Sequence, residues 1–145
     1  MSLSIQDLTL VNNPIYRPDE PRHFMVMDPV NTLVTATLNG DSLASSNNVL
    51  AVKEVARSVY DTQYYFPKQD VVMDLLVPTQ HSTTCPLKGK TQYFDVMIAD
   101  KLIEKAAWSY NEVFDFDERL TNLKGRIAFD KRLVQVIEHS QSQAL

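Results

Sequence analysis

The stretch NTLVTATLNGDSLASS, Asn31 to Ser46, decides the fold class. Its first half is rich in Thr, Val and Leu, residues that suit a pleated, half-buried surface. Asn39-Gly40 follows at once. A type I′ turn needs positive φ at both central residues, and Asn and Gly tolerate that best. Asp41 to Ser46 then reads as the returning strand, which makes this stretch a β-hairpin.

Working downstream, Val49 to Val55 (VLAVKEV) reads as a third strand. A helix competes there, because VLAVKEVARSVY also places apolar residues three and four apart. Tyr64-Tyr65-Phe66-Pro67 is a short aromatic strand stopped by proline. Val71 to Leu76 suits one helical turn packed on the core. Pro78 to Gly89 (PTQHSTTCPLKG) is a polar loop. In Thr91 to Ile98 the alternation puts Tyr93 and Asp95 on one face, Phe94 and Val96 on the other. Asp100-Lys101 marks a turn, and Leu102 to Tyr110 returns. Glu112 to Asn122 is acidic and irregular. Gly125 to Phe129 and Leu133 to Ile137 read as a last hairpin around Asp130. The expected class is mainly β, a single small domain of antiparallel sheet.

Working upstream, residues 1–29 hold Pro14, Pro18, Pro21 and Pro29, four of the seven prolines. Each removes a backbone donor and biases its predecessor away from helix. An extended N-terminal arm over 1–29 is therefore expected, pinned by Ile15 and Tyr16, ahead of a β domain at 30–138. The polar tail, 139–145, is expected to fray.

Composition excludes several classes. The chain has 145 residues, enough for one domain with its own core. Its three glycines, Gly40, Gly89 and Gly125, are too few and too scattered for a phosphate-cradling loop. Its single cysteine, Cys85, excludes an internal disulfide and any zinc site built on cysteine pairs. The net charge of −4 and the lack of a basic stripe argue against nucleic-acid binding. No run approaches the roughly 20 apolar residues of a membrane helix. Met1 to Val11 carries no positive charge and no apolar core, so no signal peptide is expected. A lone thiol without an export signal reads as cytoplasmic.

Candidate chemistry centres on the loop before Thr91. A thiol beside a cation ionises more readily, and Lys88 and His81 flank Cys85 in sequence. The competing reading is a buried structural cysteine. His81 and Cys85 supply two metal donors where zinc needs three or four. His23 and His139 lie in the arm and the tail, so neither a metal nor another cofactor is expected. Lys88 can set a point charge against an anionic group. Gly89 is expected to supply positive φ. Trp108 and Tyr110 share a strand face, with Tyr93 opposite across the hairpin; such a face either stacks a ring or packs as core. Asp70 suits a cap on the following turn. Arg22 either binds an anion or pairs with Asp19 and Glu20.

Four stretches in order resemble one family: Tyr65-Phe66-Pro67-x-x-Asp70-Val71, Thr84-Cys85-Pro86-x-Lys88-Gly89, Ala107-Trp108-Ser109-Tyr110 and Gly125-x-x-Ala128-Phe129. Together they resemble the domain of unknown function 427 family, which also carries a nucleotidyltransferase label. The resemblance spans about Pro29 to Val136, and Asn13 to His23 resembles the entry segment of longer members. It implies coiled, curved antiparallel sheets similar to those of methionine-sulfoxide reductase B and translationally controlled tumour protein. It implies no reaction. The zinc-bearing relatives of that wider fold use two cysteine pairs, which this chain lacks. Ser45, Ser46 and then Glu54 fall where members keep a serine stretch and an acidic residue; for the two serines this suggests hydrogen bonding at a pocket. Val113 and Asp130 depart from the family's usual proline and tyrosine.

The leading expectation is a domain binding an unknown small molecule, an enzyme of unassigned reaction if it is one. Its pocket is lined by Tyr65, the Thr84 to Lys88 loop, Trp108 and Tyr110, with Cys85 and Lys88 as the catalytic candidates. The alternatives are a nucleotidyltransferase-like activity, and an interaction domain that self-associates as a homo-oligomer through strand edges.

Overall fold

The structure is a computed structural model, and residues 13–140 are described. Among them, twelve strands form three antiparallel sheets. The Asn31–Ser46 stretch folds as read. Strands β3 (Val34–Leu38) and β4 (Asp41–Ser46) pair across a turn with φ of 51° at Asn39 and 87° at Gly40. The mainly β expectation holds.

Strand β5 (Val49–Val55) settles the helix–strand competition in favour of strand. It is central in the four-stranded sheet β1-β2-β5-β6, where β1 is Ile15–Arg17, β2 Glu20–Val30 and β6 Gln63–Tyr65. Both of its faces are buried. Val49 and Ala51 enter one apolar cluster with Val34, Phe66 and Phe129. Leu50 and Val52 enter a second with Met25, Tyr65 and Tyr110. A helix with that spacing would bury only one stripe.

The expected arm is corrected. The stretch is extended, but it is laddered sheet: β1 and β2 form a hairpin, and β2 pairs with β5 from Phe24↔Val55 to Val30↔Val49. Two of the prolines fall where the β1–β2 ladder spares a donor. Pro18 lies in the turn, and Pro21 lies in the register shift against β1. Met1 to Val11 lies outside the described residues, as does most of the tail. His139 is held, its N–H donating to the Leu33 carbonyl at 2.8 Å.

The third sheet runs β11-β10-β9-β7, with β7 Leu76–Pro78, β9 Gly89–Ile98, β10 Lys101–Val113 and β11 Ile127–Phe129; β8 (Thr84–Cys85) adds to β9. The β9–β10 turn is Ala99-Asp100, one residue earlier than expected, with φ of 50° and 62°. Instead of one helical turn over 71–76 there are two 3-10 turns, Lys68–Asp70 and Met73–Leu75. The acidic stretch contains a third, Glu118–Asn122, capped by the Asp117 carboxylate accepting from the Arg119 N–H. The expected last hairpin does not form. Strand β11 pairs with β10, whereas β12 (Gln135–Glu138) crosses to pair with β3. Apolar alternation marks a strand but does not name its partner.

Candidate functional site

A strand buries alternate residues on one face, so the row Leu50, Val52, Glu54 points one way. The first two are core. Glu54 ends the row where the sheet β11-β10-β9-β7 leaves a cleft of about 810 Å³. Strand β10 contributes Trp108 and Tyr110 from its face toward the second cluster, β6 contributes Tyr65, and β9 contributes Tyr93. Trp108 lies opposite Tyr93 in the ladder, with ring centroids 6.0 Å apart. His81 meets Tyr93 edge-on at 4.7 Å. The Trp108 indole N–H donates to the Tyr65 hydroxyl at 3.3 Å. Around the mouth lie Lys105, Asp130, Lys131 and Arg132. Lys105 has φ of 53° within a bulge of β10, and its N–H donates to the Asp95 carboxylate at 2.8 Å.

Lys88 forms the floor and is only 5% exposed. Gly89 aims it. With φ of 139°, Gly89 lies against the β10 backbone, where a Cβ would overlap Glu112 and stand 2.8 Å from the Val113 Cα. The Lys88 ammonium donates to Glu54 Oε1. It also lies 5.5 Å from the Tyr110 ring centroid and 3.7 Å from Cys85 Sγ. The second Glu54 oxygen meets His23 Nε2 at 2.5 Å.

Ionisation follows from these contacts. Burial pushes the Glu54 carboxyl up, but Lys88 and then His23 outweigh it and hold it below its ordinary range. Burial pulls the Lys88 ammonium down, while Tyr65, Glu54 and Cys85 around it leave it above its ordinary value. Both groups are charged at neutral pH, and each balances the other. Burial pushes the Tyr65 hydroxyl up to about 12. Tyr110 moves the same way, chiefly by burial.

Of the expected pocket residues, Tyr65, Lys88, Trp108 and Tyr110 come together on the cleft. Cys85 is half-buried behind Lys88, against the second cluster, rather than on the cleft wall. Thr84 is exposed and pairs with Lys90 in the ladder. Ser45 is exposed and Ser46 is buried, both in the β12-β3-β4 sheet, and neither lines the cleft. Ser46 donates to Asp70 at 2.6 Å. Asp70 thus braces β4, and the turn after it has no side-chain cap. Arg22 pairs with Glu20 at 3.4 Å.

The sequence around Glu54 names no partner for it, and His23 falls in the stretch that reads as an arm. The signal for Glu54 was a carboxylate ending an otherwise apolar strand row. His23 had none, because its position depends on the β1–β2 hairpin. That hairpin brings it to Cys85 as well: the donor atoms of His23, Glu54 and Cys85 lie within 4.8 Å of one another. Their number and chemistry meet the minimum for a metal centre. The Lys88 ammonium, bonded to Glu54 and against Cys85, already places a cation there.

Fold and site together define a mainly β domain with an aromatic cleft floored by a buried ion pair. A family model described as a domain of unknown function (DUF427) matches residues 26–140, and the chain belongs to that family. None of the curated proteins compared with the chain matches it. No helix among the described residues is long and apolar enough to cross a membrane.

Proposed function

We propose that the domain binds a small planar molecule in the cleft, with its ring against Trp108 and Tyr93 and a hydrogen-bond acceptor directed to Lys88. One observation carries this reading: a lysine only 5% exposed, paired with a carboxylate, at the base of an aromatic cleft. Removing such a pair from water costs several kcal/mol per ion, and an apolar pair of the same size would often be as stable. Aromatic walls with a few convergent polar groups are the usual make-up of a small-molecule pocket.

The test uses the chain's only tryptophan, Trp108, which lies in the cleft. Purified protein is first weighed under native and denaturing conditions to reveal a retained ligand. Adenosine, uridine and benzoate are then titrated against Trp108 emission. The expected result is saturable quenching by a retained or added compound, weakened at least tenfold in Lys88→Met/Glu54→Gln. A bare native mass with no saturable quenching by any of these would refute the reading.

A nucleotidyltransferase reading is supported by the family label and by the cations at the mouth. It needs carboxylates to hold magnesium; Glu54 is engaged by Lys88 and His23 and Asp130 by Arg132, which leaves Asp61 and Glu104 of the cleft lining for that role. ATP with magnesium in the same titration separates it: quenching that requires both would favour transfer.

A further inference from the structure

The chain's only thiol lies 3.7 Å from a buried amine, and the cleft reading leaves that contact without a role. A cysteine oxidised to sulfenic acid needs a resolving group if it is not to oxidise irreversibly. That group is a second thiol, which gives a disulfide, or a backbone nitrogen, which gives a sulfenamide; a side-chain amine offers the same kind of nucleophile. No second cysteine exists here. The nearby nitrogen is Lys88 Nζ, held in place by three constraints. The side chain is 6% exposed, its ammonium is bonded to Glu54, and Gly89 fixes the backbone behind it. Cys85 itself is half-buried against the second apolar cluster.

We propose that Cys85 and Lys88 form a peroxide-driven, reversible sulfur–nitrogen bridge. Hydrogen peroxide is the oxidant. The Cys85 sulfur attacks one peroxide oxygen, the oxygen–oxygen bond breaks, and the thiol becomes a sulfenic acid with release of one water. The sulfur loses two electrons and the peroxide gains them. The Lys88 ammonium, which Glu54 holds in its charged form, first loses a proton to hydroxide from solvent. Its free amine attacks the sulfenic sulfur, forming the sulfur–nitrogen bond and breaking the sulfur–oxygen bond. The departing hydroxyl takes the second nitrogen proton and leaves as water. One thiol, one amine and one peroxide give one sulfenamide and two waters. A reducing thiol reverses the bridge.

The bridge removes the positive charge from the cleft floor and frees Glu54 from its partner. Its effect on a ligand rests on the cleft reading above, but its formation does not.

The full chain is treated with hydrogen peroxide, and its intact and peptide masses are read without reductant. Loss of two hydrogens (about 2 Da), a peptide linking Cys85 to Lys88, and return to the starting mass with dithiothreitol are expected. Lys88→Arg keeps a cation beside Glu54 but offers no free amine, and there Cys85 is expected to proceed to sulfinic acid. Lys88→Met/Glu54→Gln, checked for folding by circular dichroism, is expected to do the same if the arginine variant does not fold. A sulfinic acid or an oxygen-bridged adduct in the wild type, or Lys88 still open to acylation after oxidation, overturns the sulfenamide. Bridge formation without any cleft ligand would leave this inference standing while the binding proposal fails.

Discussion

At the scale of single residues, the cost of change depends on what is left behind. Lys88→Met strands the Glu54 carboxylate in a largely buried site. Breaking a buried pair from one side costs about 3–5 kcal/mol, whereas replacing both partners is near neutral. Urea unfolding of Lys88→Met is therefore expected to show a loss of that size, with Lys88→Met/Glu54→Gln recovering most of it. Equal losses in both variants would mean that packing, rather than charge, holds the floor. The two glycines of the hairpins separate strain from space. Gly40→Ala meets no atom within 4 Å and carries only the left-handed penalty, about 1–2 kcal/mol. Gly89→Ala adds overlap with the β10 backbone. It is expected to destabilise more than Gly40→Ala in the same unfolding series and to misplace Lys88.

At the scale of elements, the Asn39-Gly40 turn and the Ala99-Asp100 turn have the same positive-φ backbone with unequal residues. Ala99 suits that conformation poorly. Replacing Ala99-Asp100 with Asn-Gly is expected to stabilise the β9–β10 hairpin by about 1 kcal/mol. A fall in the melting temperature would show that the Asp100 side chain contributes more than the backbone strain costs. The same contrast explains what could be read in advance. Asn39-Gly40 fixed β3 and β4 because its chemistry permits little else. Lys88, with Tyr65, Trp108 and Tyr110, indicated the base and aromatic wall of the cleft because loop chemistry and aromatic alternation are local, whereas Thr84 and Cys85 lie off it. The β2 strand was hidden by prolines that signal irregularity unless the bulge that receives them is known. Strand β12 was assigned the wrong neighbour because pairing is a long-range choice. Ser45 and Ser46 were misplaced for the same reason: their sheet packs against the core, away from the cleft.

At the scale of the molecule, the chain interleaves its sheets. Strands β3 and β4 sit between β2 and β5 in sequence, and β12 returns to β3 after the third sheet is complete. A bridge from Phe66 to Ile127 joins the β6 end to β11. No sheet can leave without opening another, so a single transition is expected, with Trp108 emission and far-ultraviolet dichroism coinciding. Its pH dependence follows from the shifted groups. Glu54 is held low by Lys88 and His23 despite burial, Asp117 by Arg119 and Asp130 by Arg132. A depressed carboxyl adds stability that is complete above its unfolded value, about 4, and disappears as pH falls through the folded one. Lys88 stands above its ordinary value, and Tyr65 is pushed up to about 12. Groups raised in this way add stability that is complete below their unfolded values, about 10, and is lost as pH rises through the folded ones. The melting temperature is therefore expected to hold a plateau between about pH 5 and 10 and to fall on both sides. In Lys88→Met/Glu54→Gln the acid fall should shrink, because one depressed carboxyl is gone, while Asp117 and Asp130 keep the remainder. An acid limb unchanged from wild type would show that the buried pair does not report on folding, and that the surface carboxylates alone set the acid limit.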